Sequence, residues 1–231
     1  MTTAAPAQRA DPDRPRTPGR SRGPLGEHVA ATIGRLQARL LADTPQPEAV
    51  SALARLRRGI GREPGFDYTL DRYLSVPEEL LDIRRDNAAD ATDTEHAAHD
   101  ATTLYALHQQ SRRQRMHVAG RGLGRGLADL VAKSDGPDGV RRRFAALGTA
   151  TTYAETIYHL RSLITMLREH EIGLDYGLLA DDLRTLRLPG GRTRMQAVWG
   201  REFYRTRPSE PAAIDETRTA TDTTDTEENA A

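Results

Sequence analysis

The chain has 231 residues, 37% of them hydrophobic, and its 33 basic and 33 acidic residues give a net charge of zero. It contains no cysteine, which excludes disulfides and thiolate metal sites. No apolar run approaches the ~20 residues of a membrane span, and the first 24 residues lack the apolar centre of a secretory signal. We therefore predict a cytoplasmic protein with a modest core, built as one helical bundle or two small lobes.

The zero net charge hides an uneven distribution. Residues 101–205 contain 17 basic and 10 acidic residues, whereas 82–100 and 206–231 have net charges of −4 and −5. The stretch 101–128 has five arginines and no aspartate or glutamate. Arginines without acids nearby have their counter-charge outside the chain, and phosphate is the commonest one. A solvated helix face explains the same composition equally well.

The spacing of apolar residues predicts an all-α fold of about eight helices and no strands. Pro-, Gly- and Arg-rich residues 1–24 predict a disordered arm, and Thr-, Asp- and Glu-rich residues 206–231 predict a disordered acidic tail. Between them we predict an N-terminal helical lobe, 25–135, and a C-terminal helical lobe, 136–205. The predicted helices in chain order are 27–41, 47–60, 97–118, 123–132, 138–150, 153–171, 176–187 and 193–205, with a further short helix at 77–85.

The helix predicted for 97–118 includes the first part of the acid-free stretch. Leu104, Leu107 and Tyr105 supply its buried face, and arginines follow in its last turns, where the helix dipole also favours them. We expect a loop at 63–75 and a loop or insertion at 86–100. The alternating glycines of 120–126 interrupt the helix and allow the backbone to approach another group closely.

No catalytic or cofactor motif is present. The glycine segment fails as a dinucleotide loop because Arg125 occupies the third glycine position, and the Gly-Lys-Ser/Thr of a phosphate loop is missing. His96 and His99 are three residues apart, whereas helical metal pairs are usually four apart and need a third ligand. The adjacent carboxylates Asp181 and Asp182 diverge on a helix. We predict no enzyme, no metal and no cofactor; a small metal-dependent enzyme using the two histidines stays as an alternative that a metal assay tests.

Basic residues on several helices form the candidate site. Their spread suits contacts along a phosphate backbone better than base readout by a single recognition helix. Aromatic residues are only 5% of the chain, so we expect base stacking not to dominate. The candidate nucleic-acid-binding residues are Arg55, Arg57, Arg58, Arg113, Arg121, Arg125, Arg142, Arg143 and Arg161.

Several segments together resemble one protein family. They are ALARLRRGIGREPG (52–65), TLYALHQQSR with the following GLGRGLADL (103–130), VRRRFAALGTA (140–150), HLRSLITMLR (159–168), GLDYGLLADDL (173–183) and VWGREFYR (198–205). In this order they resemble the CasB family, the small subunit of the type I-E CRISPR surveillance complex, Cascade. The resemblance covers roughly 27–205.

This resemblance implies an all-helical, non-catalytic subunit that sits as a pair along the crRNA-bearing filament. It implies contacts with the backbone and large subunits of that complex, and contacts with the target and displaced DNA strands of the R-loop through positive surface. Six candidates match basic positions of the family: Arg57, Arg58, Arg125, Arg142, Arg143 and Arg161. The family assigns no role to the arm or the tail. The alternative is a helical assembly module whose basic face binds acidic protein partners, which the salt dependence of nucleic-acid binding would distinguish.

Overall fold

The computed structural model describes residues 20–82 and 90–205. Over these residues the fold is all-α, as predicted, and the only β-type pairing is an isolated bridge between His117 and Leu174. The helices of this part of the chain are α1 (Pro24–Leu40), α2 (Pro47–Leu56), α3 (Asp71–Leu74), α4 (Asp93–Gln109), α5 (Leu123–Lys133), α6 (Pro137–Thr149), α7 (Tyr153–Glu169), α8 (Tyr176–Arg187) and α9 (Gly191–Arg205). The predicted acidic tail and residues 1–19 of the predicted arm lie outside the described residues.

One hydrophobic core extends through the bundle. Buried side chains from before and after residue 135 belong to the same cluster, and α8 packs against both α1 and α4. Packing is thus continuous across the predicted lobe boundary, and the division into two lobes stays a prediction. None of the helices in the described part of the chain combines the length and apolar character of a membrane span.

α4 is the central helix and packs against α1, α2, α7 and α8. It begins at Asp93, inside the segment predicted to be a loop, because Thr92 and Glu95 form a capping box at its start. Ala97, Ala98 and Ala101 are at most 3% exposed. Small side chains let other helices approach α4 from several sides, so its burial leaves no apolar stripe in the sequence.

α4 ends at Gln109, about nine residues before the predicted end at Val118. Ser111 has a φ of 58°, a left-handed conformation that a helix does not continue through. The prediction that arginines occupy the last turns of this helix is therefore wrong, and stabilisation by the helix dipole does not explain them. They lie in a connection, residues 110–122, that we call the basic loop.

The N-terminal boundary also differs from the prediction. α1 begins at Pro24, a favoured first residue, rather than at Glu27. Asp181 of α8 accepts hydrogen bonds from the backbone N–H groups of Gly23 and Gly26, at 2.7 and 2.9 Å. The predicted arm therefore does not extend to residue 24, because its last residues dock on α8 and receive their helix cap from there.

Two short segments differ in structure from the prediction. The predicted loop 63–75 contains a 3-10 turn, Tyr68–Leu70, followed directly by α3. The short helix predicted at 77–85 is a 3-10 turn at Glu78–Leu80, and its last residues lie outside the described part of the chain. Both segments are too short for apolar periodicity to distinguish turns from helices.

Candidate nucleic-acid interface

The basic loop has a defined conformation because buried amide side chains bind its backbone. Gln109, 2% exposed, donates to the carbonyls of Arg112 and Gln114 and accepts from the N–H of Met116. Gln37 of α1 bonds both the N–H and the carbonyl of His117, at 2.8 and 3.1 Å. These bonds replace the helical ones that the loop lacks. The arginines of this loop therefore project from an ordered backbone.

The arginines of the basic loop differ in whether they form ion pairs with acidic residues of the protein. Arg112 forms an ion pair with Glu171 at 3.3 Å, and Arg121 approaches Asp129 at 3.7 Å. Arg113 is exposed and forms no ion pair with any residue in the described ranges. Of the two predicted site residues in this loop, Arg113 is thus free to bind an external anion, while Arg121 has a weak internal partner.

The glycines after the loop serve packing within the protein. Gly122 is the N-cap residue of α5, and Gly124 and Gly126 lie within the helix. A Cβ added at Gly124 would clash with the backbone of α9, and one added at Gly126 would clash with Leu174. The close approach predicted for this segment is made by α9 and Leu174, so no ligand is needed to explain these glycines. Arg125 between them is exposed.

Arg55 has a structural role that its position in the sequence did not reveal. Its guanidinium group binds both carboxylate oxygens of Asp67, at 2.6 to 3.0 Å. The pKa of Asp67 lies below its ordinary value, chiefly through the Thr69 hydroxyl hydrogen bond, with Arg55 contributing. An arginine engaged in this way has fewer donors left for phosphate, so Arg55 is a weaker candidate than the unpaired arginines, and its contact with nucleic acid stays a prediction. Arg58 is exposed and Arg57 partly exposed beside it.

α6 and α7 carry the most accessible arginines. Arg142, Arg143 and Arg161 are all exposed. Arg143 donates one bond to the carbonyl of Gly139, while Arg141 is paired with Asp138 at 2.8 Å. Arg142 and Arg161 have no ion-pair partner in the described part of the chain. Their charge is available to a ligand.

The candidates fall into two groups by the helices that carry them. α6 packs against α5 and α7, so Arg125, Arg142, Arg143 and Arg161 belong to adjacent helices. Arg57 and Arg58 follow α2 in a short 3-10 turn, Arg57–Gly59. This turn packs mainly against α2 and α4. The first group is therefore carried by neighbouring helices, while the second group follows α2, which is not among the helices that α6 packs against.

Residues that sequence reasoning missed connect the N-terminus to α8. Arg20 binds Asp182 at 2.7 Å, and Asp182 also accepts from the indole N–H of Trp199 at 2.7 Å. Arg22 binds Asp175 at 2.8 Å. Burial raises the pKa of Asp182. At Asp175 burial also acts in that direction, but the bonds from Arg22 and from backbone N–H groups outweigh it and lower the pKa. These arginines stabilise the fold, and no sequence spacing connects residues some 150 positions apart.

The buried histidines are likewise packed into the core. His108 contacts the hydroxyl of Tyr176 at 2.8 Å, and burial lowers its pKa to about 3. His99 contacts the carbonyl of Gly59 at 2.9 Å, and His96 lies 3.6 Å from Glu63. Across residues 20–82 and 90–205, no three His, Cys, Asp or Glu residues are grouped so as to bind a metal ion.

Comparison with known proteins gives one consistent family. The model of the family described as CRISPR-associated protein Cse2 matches residues 52–204. The structure of CasB from Thermobifida fusca is 40% identical, with a TM-score of 0.64, and the match covers 80% of this chain and 99% of that one. A CRISPR-associated protein of the Cse2 family from Thermus thermophilus is 27% identical, with a TM-score of 0.57, covering 78% of this chain and 97% of that one.

A more distant chain belongs to a structure described as a CRISPR RNA-guided surveillance complex. It is 23% identical, with a TM-score of 0.55, and the match covers 79% of this chain and 94% of that one. At this identity the likeness concerns the fold alone. No curated protein matches the chain significantly in sequence.

Proposed function

The chain belongs to the CRISPR-associated Cse2 family, which confirms the resemblance to CasB, and from this we propose that it is a non-catalytic subunit of an RNA-guided surveillance complex of the Cascade type. In that complex its exposed arginines contact the phosphates of the target strand and of the displaced strand, and so stabilise the R-loop. Its protein partners are the backbone and large subunits and a second copy of itself.

The observation that carries this proposal is the set of exposed arginines on adjacent helices. Arg142 and Arg161 are exposed and form no ion pair with a described residue, and Arg125 is exposed although Glu202 of α9 interacts with it electrostatically. Residues 139–168, which span most of α6 and α7, contain five arginines and a single acid. Such a surface binds phosphate without regard to sequence, because it offers charge and no groove-reading element.

Modest contacts are sufficient for this function. Opening a DNA duplex and pairing one strand with RNA exchanges two helices of similar stability, so a few backbone contacts shift the balance. About four to six arginine–phosphate contacts give a log–log salt slope of roughly −3 to −4 for single strands, at about −0.7 per contact. The contribution of the arginines to DNA affinity is thus predicted to be large at low salt and to fall steeply as the salt concentration rises.

The experiment replaces Arg142 and Arg143 by alanine in the full chain and measures target binding by the assembled complex in a filter-binding assay. We expect weaker binding and a salt slope reduced by about 1.4, the value of two single-strand contacts, with an unchanged circular dichroism spectrum. The matched control replaces Arg39 of α1 and Arg72 of α3 by alanine, so the same amount of positive charge is removed from other helices. Equal target affinity of the site variant and the wild type would contradict the proposal.

One observation favours the alternative of a protein assembly module. A groove of ≈ 350 Å³ lies between α6 and α9 and is lined largely by apolar side chains, among them Phe144, Phe203 and Tyr204. Apolar grooves of this kind suit protein side chains. If this surface rather than the arginines determines function, nucleic-acid affinity will be negligible or independent of salt, while Tyr204→Ala will weaken incorporation into the complex.

A further inference from the structure

An exposed aromatic ring lies on α7, one helix of the pair α6 and α7 that together carry five arginines. Tyr158 of α7 is 71% exposed. Its hydroxyl forms no hydrogen bond within the described ranges, and the one aromatic ring that it meets there is that of His159, edge-on with centroids 5.4 Å apart. Exposing a tyrosine ring to this extent leaves its apolar faces in water. Packing within the protein therefore does not explain this residue.

The surroundings of Tyr158 are cationic. Arg161 follows it by three residues, so both side chains leave the same exposed face of α7. The acid in residues 139–168, Glu155, accepts from the N–H of Thr151 at 2.7 Å and lies 3.8 Å from His159. Its charge is thus partly compensated at the start of the helix. The face of α7 around Tyr158 thus carries Arg161, which has no ion-pair partner in the described ranges, and Glu155, which is engaged at the start of the helix.

The neighbouring helix places a second arginine at a similar height. α6 and α7 pack against each other and are joined by only three residues, 150–152, as in an antiparallel helical hairpin. Arg142 lies nine residues before Thr151, and Arg161 lies ten residues after it. At a rise of about 1.5 Å per residue these positions are level along the hairpin. Both arginines are exposed.

We propose that Tyr158 is a stacking platform for a base of an unpaired nucleic-acid strand, whose flanking phosphates are bound by Arg161 and Arg142. The inference rests on the proposed function and deepens it, because it specifies that the strand bound at this hairpin is single. A paired base has its faces covered by its neighbours, whereas an unpaired base offers a face to an aromatic ring. Phosphate contacts still supply most of the affinity, and the ring adds a preference for strands that carry bases.

Exposure alone would not single out this tyrosine. Tyr68 is 86% exposed, yet the nearby Arg55 is already bound to Asp67, and Asp71 adds a negative charge three residues after the ring. The chain therefore contains a matched control for Tyr158: an exposed tyrosine in an acidic setting. The same substitution at the two positions separates stacking beside arginines from any general effect of losing a surface ring.

The experiment measures binding of the full chain to labelled oligothymidine and to a strand of equal length that carries abasic sites. We expect the wild type to prefer the strand with bases by about five-fold or more, the value of one base–aromatic stack. Tyr158→Ala should remove this preference, Tyr158→Phe should keep it, and Tyr68→Ala should leave it unchanged. Thermal unfolding of each variant verifies that the fold is retained.

The outcomes separate this inference from the proposed function. If both strands bind equally to the wild type, and binding falls in the variant lacking Arg142 and Arg143, then phosphate contacts act without stacking and only this inference is overturned. If Tyr158→Ala retains the preference for bases, stacking occurs elsewhere and the inference is again overturned. If neither strand shows arginine-dependent binding, the inference fails, and the filter-binding assay on the assembled complex decides the proposed function separately.

Discussion

The substitution Gly124→Ala tests directly whether the glycines of α5 serve helix packing. A Cβ built at this position would press on the carbonyl oxygen of Trp199 and come within 2.7 Å of Glu202 Cβ and 2.9 Å of the Phe203 nitrogen. Two of these three atoms belong to the backbone of α9 and cannot rotate away. Insertion of one methyl group therefore forces α5 and α9 apart along their contact.

Two opposing contributions determine the size of the effect. Alanine is about 1 kcal/mol better than glycine inside a helix, whereas overpacking of a close contact costs typically 1–3 kcal/mol and occasionally more. The clash involves backbone, so we place the cost at the upper end of that range. The net loss in the free energy of unfolding is then about 1–2 kcal/mol, which lowers Tm by roughly 2–8 °C for a domain of this size.

Gly34→Ala is the matched control, because nothing lies within 4 Å of a Cβ built at this position of α1. There the gain in helix propensity acts alone, and we expect a rise in stability of about 0.5–1 kcal/mol. Far-UV circular dichroism of the full chain during thermal unfolding measures both changes. A Gly124→Ala variant that is as stable as the wild type, or more stable, would refute the packing explanation of these glycines.

Three further predictions concern the ion pairs and the nucleic-acid interface. Arg20→Ala should lower the free energy of unfolding by about 3 kcal/mol, because it leaves the buried carboxylate of Asp182 without its cation, whereas Arg161→Ala should change stability little in the same urea titration. Asp175→Asn should destabilise the chain at neutral pH. The folded-state pKa of Asp175 lies below its ordinary 3.8. The carboxylate therefore contributes to the free energy of unfolding above pH 3.8, and this contribution is lost as the pH falls through the folded-state pKa. The difference in stability between this variant and the wild type should accordingly narrow as the pH falls below 3.8, and a constant difference would contradict that assignment. Single-strand affinity should fall with salt at a log–log slope of roughly −3 to −4, and a flat response in fluorescence anisotropy would favour an assembly module.

Helices with an apolar stripe and a local cap could be predicted closely. The predicted helix 176–187 coincides with α8, whose cap is the side chain of Asp175 bonding the N–H groups of Gly177 and Leu178. α7 begins at Tyr153, directly after its cap Thr152, whose side chain accepts from the N–H of Glu155. In these cases the information that starts the helix lies within three residues of its first turn, so a local pattern is sufficient.

The central helix could not be predicted in the same way. α4 is buried on most sides and is rich in alanine and threonine, so its sequence lacks the period that marks a half-buried helix. Its end depends on Gln109, whose amide bonds backbone groups up to seven residues ahead. The ordered basic loop follows from that bond and from Gln37, which lies 80 residues away in the chain.

The charges of the interface show the same division. The sequence contained the surplus of arginine and the absence of acids around it, since these are matters of composition. It did not show which acid pairs with which arginine. Asp67 forms an ion pair with Arg55 and Asp182 forms one with Arg20, whereas Arg142 has no such partner in the described part of the chain.

By itself, then, the sequence determined the all-α class, most helices of the C-terminal half and the family, because apolar period, caps and ordered motifs are local properties. Only the tertiary structure decided which glycines separate helices, where the central helix ends and which arginines remain available to phosphate. Each of these depends on groups from distant parts of the chain. Hydrogen bonds and ion pairs form only between groups a few ångströms apart, and it is folding that brings these groups within that distance.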